Sequence, residues 1–216
     1  QTKLADMAIL SVAKIVAEVN KSRVLEKYRK HPGLLQRVRN FRVSLGFGMH
    51  CGWAIEGAIG SEVKIDAAYL SPNMAVASKL QRATMQYGVF MLISHEMVKL
   101  CSHEMALMCR LIDHVFVKGM RSPIRLYTID LDCMALAVVR EAPNLITRNR
   151  FKIRQLRELR KADKWAEEYS VSHQFVVDPD LLQMRAKYSP EFFHRFSMAY
   201  RNYEAGEWMA ARDMLF

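Results

Sequence analysis

Residues 46–60 read GFGMHCGWAIEGAIG and set Gly46, Gly48, Gly52, Gly57 and Gly60 in an alternating run of small and apolar residues. A glycine in extended chain has no side chain to pack, so it marks a tight turn or the close approach of another backbone. The run predicts two strands, about 41–50 and 52–59, lying hard against a neighbouring element. A polar turn follows, then a helix from about Pro72 to Gly88, with Pro72 suited to its first turn. GVFMLIS reads as a buried strand with helical HEMVKL behind it. RLIDHVFVKG and IRLYTIDL read as two more strands, joined by the turn GMRSP.

Upstream, LADMAILSVAKIVAEVN places Leu4, Met7, Ala8, Ser11, Val12, Ile15, Val16 and Val19 on one stripe, the period of a packed helix. It begins with no capping residue before it, as though the chain opened inside a domain, and HPGLL breaks it. The order helix, strand, strand, helix, strand, helix, strand, strand predicts an α/β sandwich of the α+β kind, one mixed sheet with helices on one face. EAPN at 141–144 reads as a linker, and the rest as helices at about 148–168, 179–187, 190–203 and 206–215. VDPDLL and SPEFF supply a capping side chain followed by proline, good helix starts. The last two helices have the residue placement of a tetratricopeptide-like hairpin, 190–216. One such unit cannot stack on itself. It caps a neighbour, packs on the sheet domain, or belongs to a longer array.

A chain of 216 residues, 51% hydrophobic and 25% charged, can bury one sizeable core and a small second unit. Its apolar runs are too short and too broken by charge to span a bilayer, and QTKLADMAIL lacks the features of a signal peptide. Cys51, Cys101, Cys109 and Cys133 show no paired spacing and read as reduced thiols. The seven histidines form no metal-binding motif. The net charge of +10 sits largely in KSRVLEKYRKHPGLLQRVRNFR and RNRFKIRQLRELRKADKW. Neither run carries the aromatic interleaving of a single-strand binder, so nucleic acid is not an expected partner, and both read as solvated faces or docking surfaces.

The stretch from Val43 to Leu131 resembles the catalytic domain of class III nucleotidyl cyclases, most of all the adenylate/guanylate cyclase homology regions of protist proteins. LGFGMHCGWAIEGAIGS, KIDAAYLSPNMAVASKL, VFMLIS and LIDHVFVKG followed by LYTIDL carry the resemblance. It implies a ferredoxin-like domain at 1–135, incomplete at its N-terminus, a linker at 136–147 and an all-helical tail at 148–216. It also implies a head-to-tail dimer with two sites at its interface. In each site two carboxylates hold two Mg2+ ions, which help the ribose 3′-hydroxyl of ATP or GTP attack the α-phosphate. The opposite half supplies an asparagine for the ribose, an arginine for the charge growing on the α-phosphate, and a lysine for the terminal phosphates.

Mapped onto this chain, the resemblance is incomplete. Both carboxylates belong upstream of the helix that starts at Leu4, and Asp66, Asp113 and Asp130 fall in other parts of the pattern. No metal site is therefore expected here, and Mg2+ enters only with carboxylates from outside the chain. The asparagine and arginine positions hold Ala75 and Lys79. Alanine offers the ribose nothing, and lysine lacks the planar fork of a guanidinium. Each loss is expected to cost about 2.7–4 kcal/mol of transition-state stabilisation. Lys118 of the VKG motif matches the phosphate lysine, and Asp66 falls near the purine-reading position. Ala68 stands where the family has a small hydroxyl, and Asn73 reads as a first-turn surface residue. His50 and Cys51 are expected to face an interface or the core, with Met49 and Trp53 packing. His95 and His103 are expected in solvent, and Trp165 and Trp208 as anchors of the tail helices.

The first reading is a degenerate cyclase-like domain, a scaffold or regulatory subunit in a cytoplasmic, ciliary or other large assembly. The alternative is the metal-bearing half of an active heterodimer, whose partner supplies the amide and the guanidinium.

Overall fold

The computed structural model describes residues 1–39, 41–120, 122–138, 150–166 and 168–215. The chain opens with helices α1 (Thr2–Lys21), α2 (Arg23–Arg29) and α3 (Pro32–Arg37). Three strands follow, β1 (Phe47–Met49), β2 (Ile55–Gly60) and β3 (Ile65–Leu70), and then helix α4 (Pro72–Tyr87). Next come β4 (Met91–Ser94), α5 (His95–Val98), α6 (His103–Met108), β5 (Arg110–Val115) and β6 (Ile124–Thr128). The remaining helices are α7 (Arg150–Trp165), α8 (Gln174–Val177), α9 (Pro179–Arg185), α10 (Pro190–Glu204) and α11 (Trp208–Leu215). From residue 139 on, the expected 136–147 linker lies outside the described residues.

The chain is a mixed α/β structure. Its main sheet has the strand order β1-β4-β6-β5, with β1 parallel to β4 and the other pairs antiparallel. β2 and β3 form a separate antiparallel ribbon in which Ile55 faces Leu70 and Gly60 faces Ile65. Two expectations are corrected here. IDAAYL is a strand and not part of a polar turn, because alternation from Ile65 to Leu70 lets it pair with β2 over its whole length. The second glycine-rich strand leaves the main sheet with it.

Helix α4 is set by its ends and by one face. Ser71 Oγ accepts from the Asn73 amide (3.0 Å), Pro72 occupies the first turn, and Gly88 closes the helix at φ 64°, a left-handed conformation that favours glycine. Val76 and Leu80 are buried on Leu92, Ile124 and Leu126 of the sheet. Each large aliphatic side chain buried in this way stabilises the domain by about 1.5–3 kcal/mol. All four residues of β4 are buried, so the sheet is covered on both faces around this strand and not on one alone. On the far side Tyr127 of β6 stacks on His95, with ring centroids 5.8 Å apart.

Helix α1 is helical as expected, but the buried face differs. Ala5, Ile9, Leu10, Ala13, Val16 and Ala17 are buried, while Leu4 and Ile15 are exposed. Val16 belongs to both faces, and burial has rotated from the expected stripe onto Ile9, Leu10 and the alanines beside them. HPGLL does not simply end a helix: α1 stops at Lys21, and Pro32 begins α3.

Two compact units form, neither of them contiguous in sequence. The first comprises Gln1–Ala8, Ser44–Asp132 and Arg185–Phe216; the second comprises Ile9–Val43 and Cys133–Met184. In the second unit Asp178 caps α9, accepting from the amides of Asp180 and Leu181 (both 3.2 Å), and also pairs with Lys14. Asp180 pairs with Lys21 at 2.8 Å. In the first unit Ser189 caps α10, and Phe192 and Phe196 lie against the Arg110 guanidinium. The hairpin of α10 and α11 thus packs on the sheet. Trp165 and Trp208, expected as anchors of the tail helices, are exposed.

Candidate functional site

The glycine-rich strand brings α4 close to the sheet. A Cβ on Gly48 would stand 2.2 Å from the Ala77 carbonyl oxygen and 2.4 Å from the Gln81 nitrogen. No other residue could hold the helix at this distance. Just beyond β1 a polar chain fastens the start of α4. His50 Nδ1 lies 2.8 Å from Ser94 Oγ, and His50 Nε2 lies 3.1 Å from Asn73 Oδ1. Asn73 Nδ2 donates to the Trp53 carbonyl at 2.8 Å, and Ser71 Oγ donates to that same carbonyl. With the amide nitrogen on a carbonyl, Oδ1 is the acceptor; His50 donates through Nε2 and accepts from Ser94 at Nδ1. Asn73 is therefore no surface residue. Together with His50 it locks the first turn of α4 to the ends of β1 and β4. The sequence carried a signal for this in SPN directly before the helix, but not the partner. Trp53, expected to pack, is exposed.

Ala75 and Lys79 stand one turn apart on α4. Ala75 is exposed and presents only a methyl group; Lys79 is half-buried. The Lys79 ammonium donates to the Lys118 carbonyl, in a turn closed by Met120 N to Val117 O at 2.9 Å. Gly119 in that turn has φ 92°, and a Cβ there would be 3.6 Å from Lys79 Nζ. The fold thus brings Lys79 and Lys118 together, with the Lys118 side chain exposed. Asp66 is not bonded to either. It lies on exposed β3, opposite Ile59, and pairs with Lys64 at 2.8 Å.

Other carboxylates of the sheet are already engaged. Asp113 accepts from the Tyr87 hydroxyl (2.8 Å) and from the His114 amide (2.7 Å). Burial first, and then that bond to Asp113, push the Tyr87 phenol well above its ordinary range. Asp130 takes two hydrogen bonds from Arg110, both 2.6 Å. Among the described residues no three His, Cys, Asp or Glu side chains are gathered to hold a metal ion. Asp113 and Asp130, engaged in these bonds, do not fit a Mg2+ pair. Nor, among the described residues, is any helix long and apolar enough to cross a membrane.

No family profile matches the chain. Among curated proteins, an adenylate cyclase of Anabaena cylindrica is 35% identical over 89 residues, which are 41% of this chain and 18% of that protein. The chain carries a cyclase-like domain. A solved structure of a bacterial light-regulated adenylyl cyclase is similar over 60% of this chain and 34% of its own, at 22% identity and a TM-score of 0.45. This chain therefore spans under a fifth of the cyanobacterial cyclase and about a third of the solved one. Within the cyclase-like domain, the geometry above sorts the expected residues. Lys79 and Lys118 share one corner, Ala75 flanks it, and Asp66 lies out on the ribbon.

Proposed function

We propose that this cyclase-like domain is of the class III type, with a ferredoxin-like core, and is catalytically degenerate, serving as a scaffold or regulatory half. The observation that carries this reading is the α4 face. Ala75 offers a methyl where the resemblance implies an amide, and the Lys79 ammonium is held by the Lys118 carbonyl. An ammonium in that bond is a weak substitute for a guanidinium fork aimed at a phosphate. What this corner retains is positive charge. Lys118 and Lys79 suit loose retention of the phosphates of ATP or GTP, without the groups that would drive ring closure.

The β2–β3 ribbon supports a dimer. A two-stranded hairpin is marginal alone in water, yet this one exposes Ile55, Ile59 and Leu70 on one face. A second cyclase-like half is the partner proposed to cover them. The test is turnover of ATP and GTP, with Mg2+ or Mn2+, by this protein. We expect no cyclic nucleotide above the blank, and no change on Lys79→Ala. Turnover that Lys79→Ala abolishes would refute degeneracy. Turnover that appears only on mixing with a half bearing its own amide and guanidinium would instead establish the metal-bearing half of a heterodimer.

A further inference from the structure

A second concavity lies away from the α4 corner, between β5 and β6 of the sheet and helix α10. It has a volume of about 750 Å³, within the range of small-molecule sites. Its walls are aromatic, with Tyr127, Phe193 and Tyr200 among them. Its charge is unbalanced. Arg110 is neutralised by Asp130, but Arg185 has no carboxylate partner among the described residues and meets only the Met108 sulfur, at 3.3 Å. Burial alone lowers the Arg185 pKa from its ordinary value. Arg201 also lines the cavity, from the exposed side of α10. The one carboxylate in the lining, Glu204, already accepts from the Tyr200 hydroxyl at 3.1 Å. Burial, and then that bond, push the Tyr200 phenol up to about 12, so it stays a donor.

A half-buried guanidinium carries five N–H donors in a planar fork, and a thioether satisfies them poorly. Carboxylate, phosphate and sulfonate groups match that fork in two-point geometry. Aromatic walls favour a flat body behind the anionic head.

We propose that this cavity binds a planar aromatic anion, its acidic group on Arg185 and Arg201 and its ring system against Phe193 and Tyr200. The site is independent of the cyclase-type reading and stands or falls without it. It would give the domain a small-molecule input beside β5, the edge strand of the sheet.

The probe is 1-anilinonaphthalene-8-sulfonate, compared with N-phenyl-1-naphthylamine, which has the same rings and no acid. Fluorescence titration of the full chain should show one saturable site for the sulfonate. Arg185→Gln should weaken that binding by about tenfold or more, the loss of one charge-assisted contact, and leave the neutral amine unchanged. Ser197→Trp, placed on the exposed rim of the cavity, should block the sulfonate. Should Arg185→Gln fail to fold, Arg201→Gln on the exposed helix surface carries the same comparison. Equal affinity for both probes, or sulfonate binding indifferent to the arginine variants, would overturn the proposal.

Discussion

Gly48→Ala tests whether the approach of β1 to α4 sets the spacing between the helix and the sheet. The new Cβ would lie 2.2 Å from the Ala77 carbonyl, 2.4 Å from Gln81 N and 3.0 Å from Gln81 Cα, where ordinary contact begins at 3.4 Å. The helix must then retreat by about 3.4 − 2.2 = 1.2 Å, since all three atoms are backbone. Overpacking against atoms that cannot rotate away costs about 1–3 kcal/mol. A gap of only about 0.5–1 Å already forfeits roughly a quarter to a half of the dispersion energy across it, and this one is wider. Applied to the burial of Val76 and Leu80, that adds about 1 kcal/mol or more. The expected loss is therefore about 3 kcal/mol. Urea unfolding followed by circular dichroism reads it as a midpoint lowered by roughly 1–3 M, for slopes of about 1–3 kcal/mol/M. Gly57→Ala is the control. A Cβ there meets nothing within 4 Å, so the change should stay within about 0.5 kcal/mol or stabilise slightly. Equal midpoints for the two variants would refute the claim that close approach, and not glycine as such, sets the β1–α4 spacing.

Further expectations concern charge. Arg110→Met leaves the Asp130 carboxylate, only 6% exposed, without its cation, and should cost about 3–5 kcal/mol in the same urea assay. The double variant with Asp130→Leu should recover most of that, and strict additivity would count against the pair. Burial, and then Lys99, hold the His95 ring below its ordinary 6.5. The unfolded chain then binds the proton first, so stability should fall as pH drops from about 6.5 through the lower folded value. His95→Gln should flatten that part of the pH–stability curve. Asp178→Ala removes the cap of α9 and should cost about 0.5–2 kcal/mol, read as a lower thermal midpoint.

Local chemistry made much of this protein legible from its sequence. Ser71, Pro72 and Gly88 bound α4 because caps, proline and left-handed glycine act within a few residues of themselves. Asp178 and Ser189 announced α9 and α10 for the same reason, and MLIS declared a buried strand by its unbroken apolar run. The residues that carry the cyclase resemblance were equally visible, since side-chain identity needs no fold. What the sequence could not decide was which surfaces meet. The stripe of α1 with Leu4 and Ile15 looked the stronger one, yet the face with Ile9, Leu10 and Ala13 is buried, because the face a helix buries depends on its neighbours as well as on its own period. IDAAYL needed β2 beside it to be read as a strand. His95 stacks on Tyr127, 32 residues away, where the sequence suggested solvent, while His103 is exposed as expected. The Lys79–Lys118 bond, the His50–Asn73 lock and the arginine-lined cavity each join residues far apart in the chain. Such pairings exist only once a core has set the spacing between elements, and so tertiary structure alone decided them.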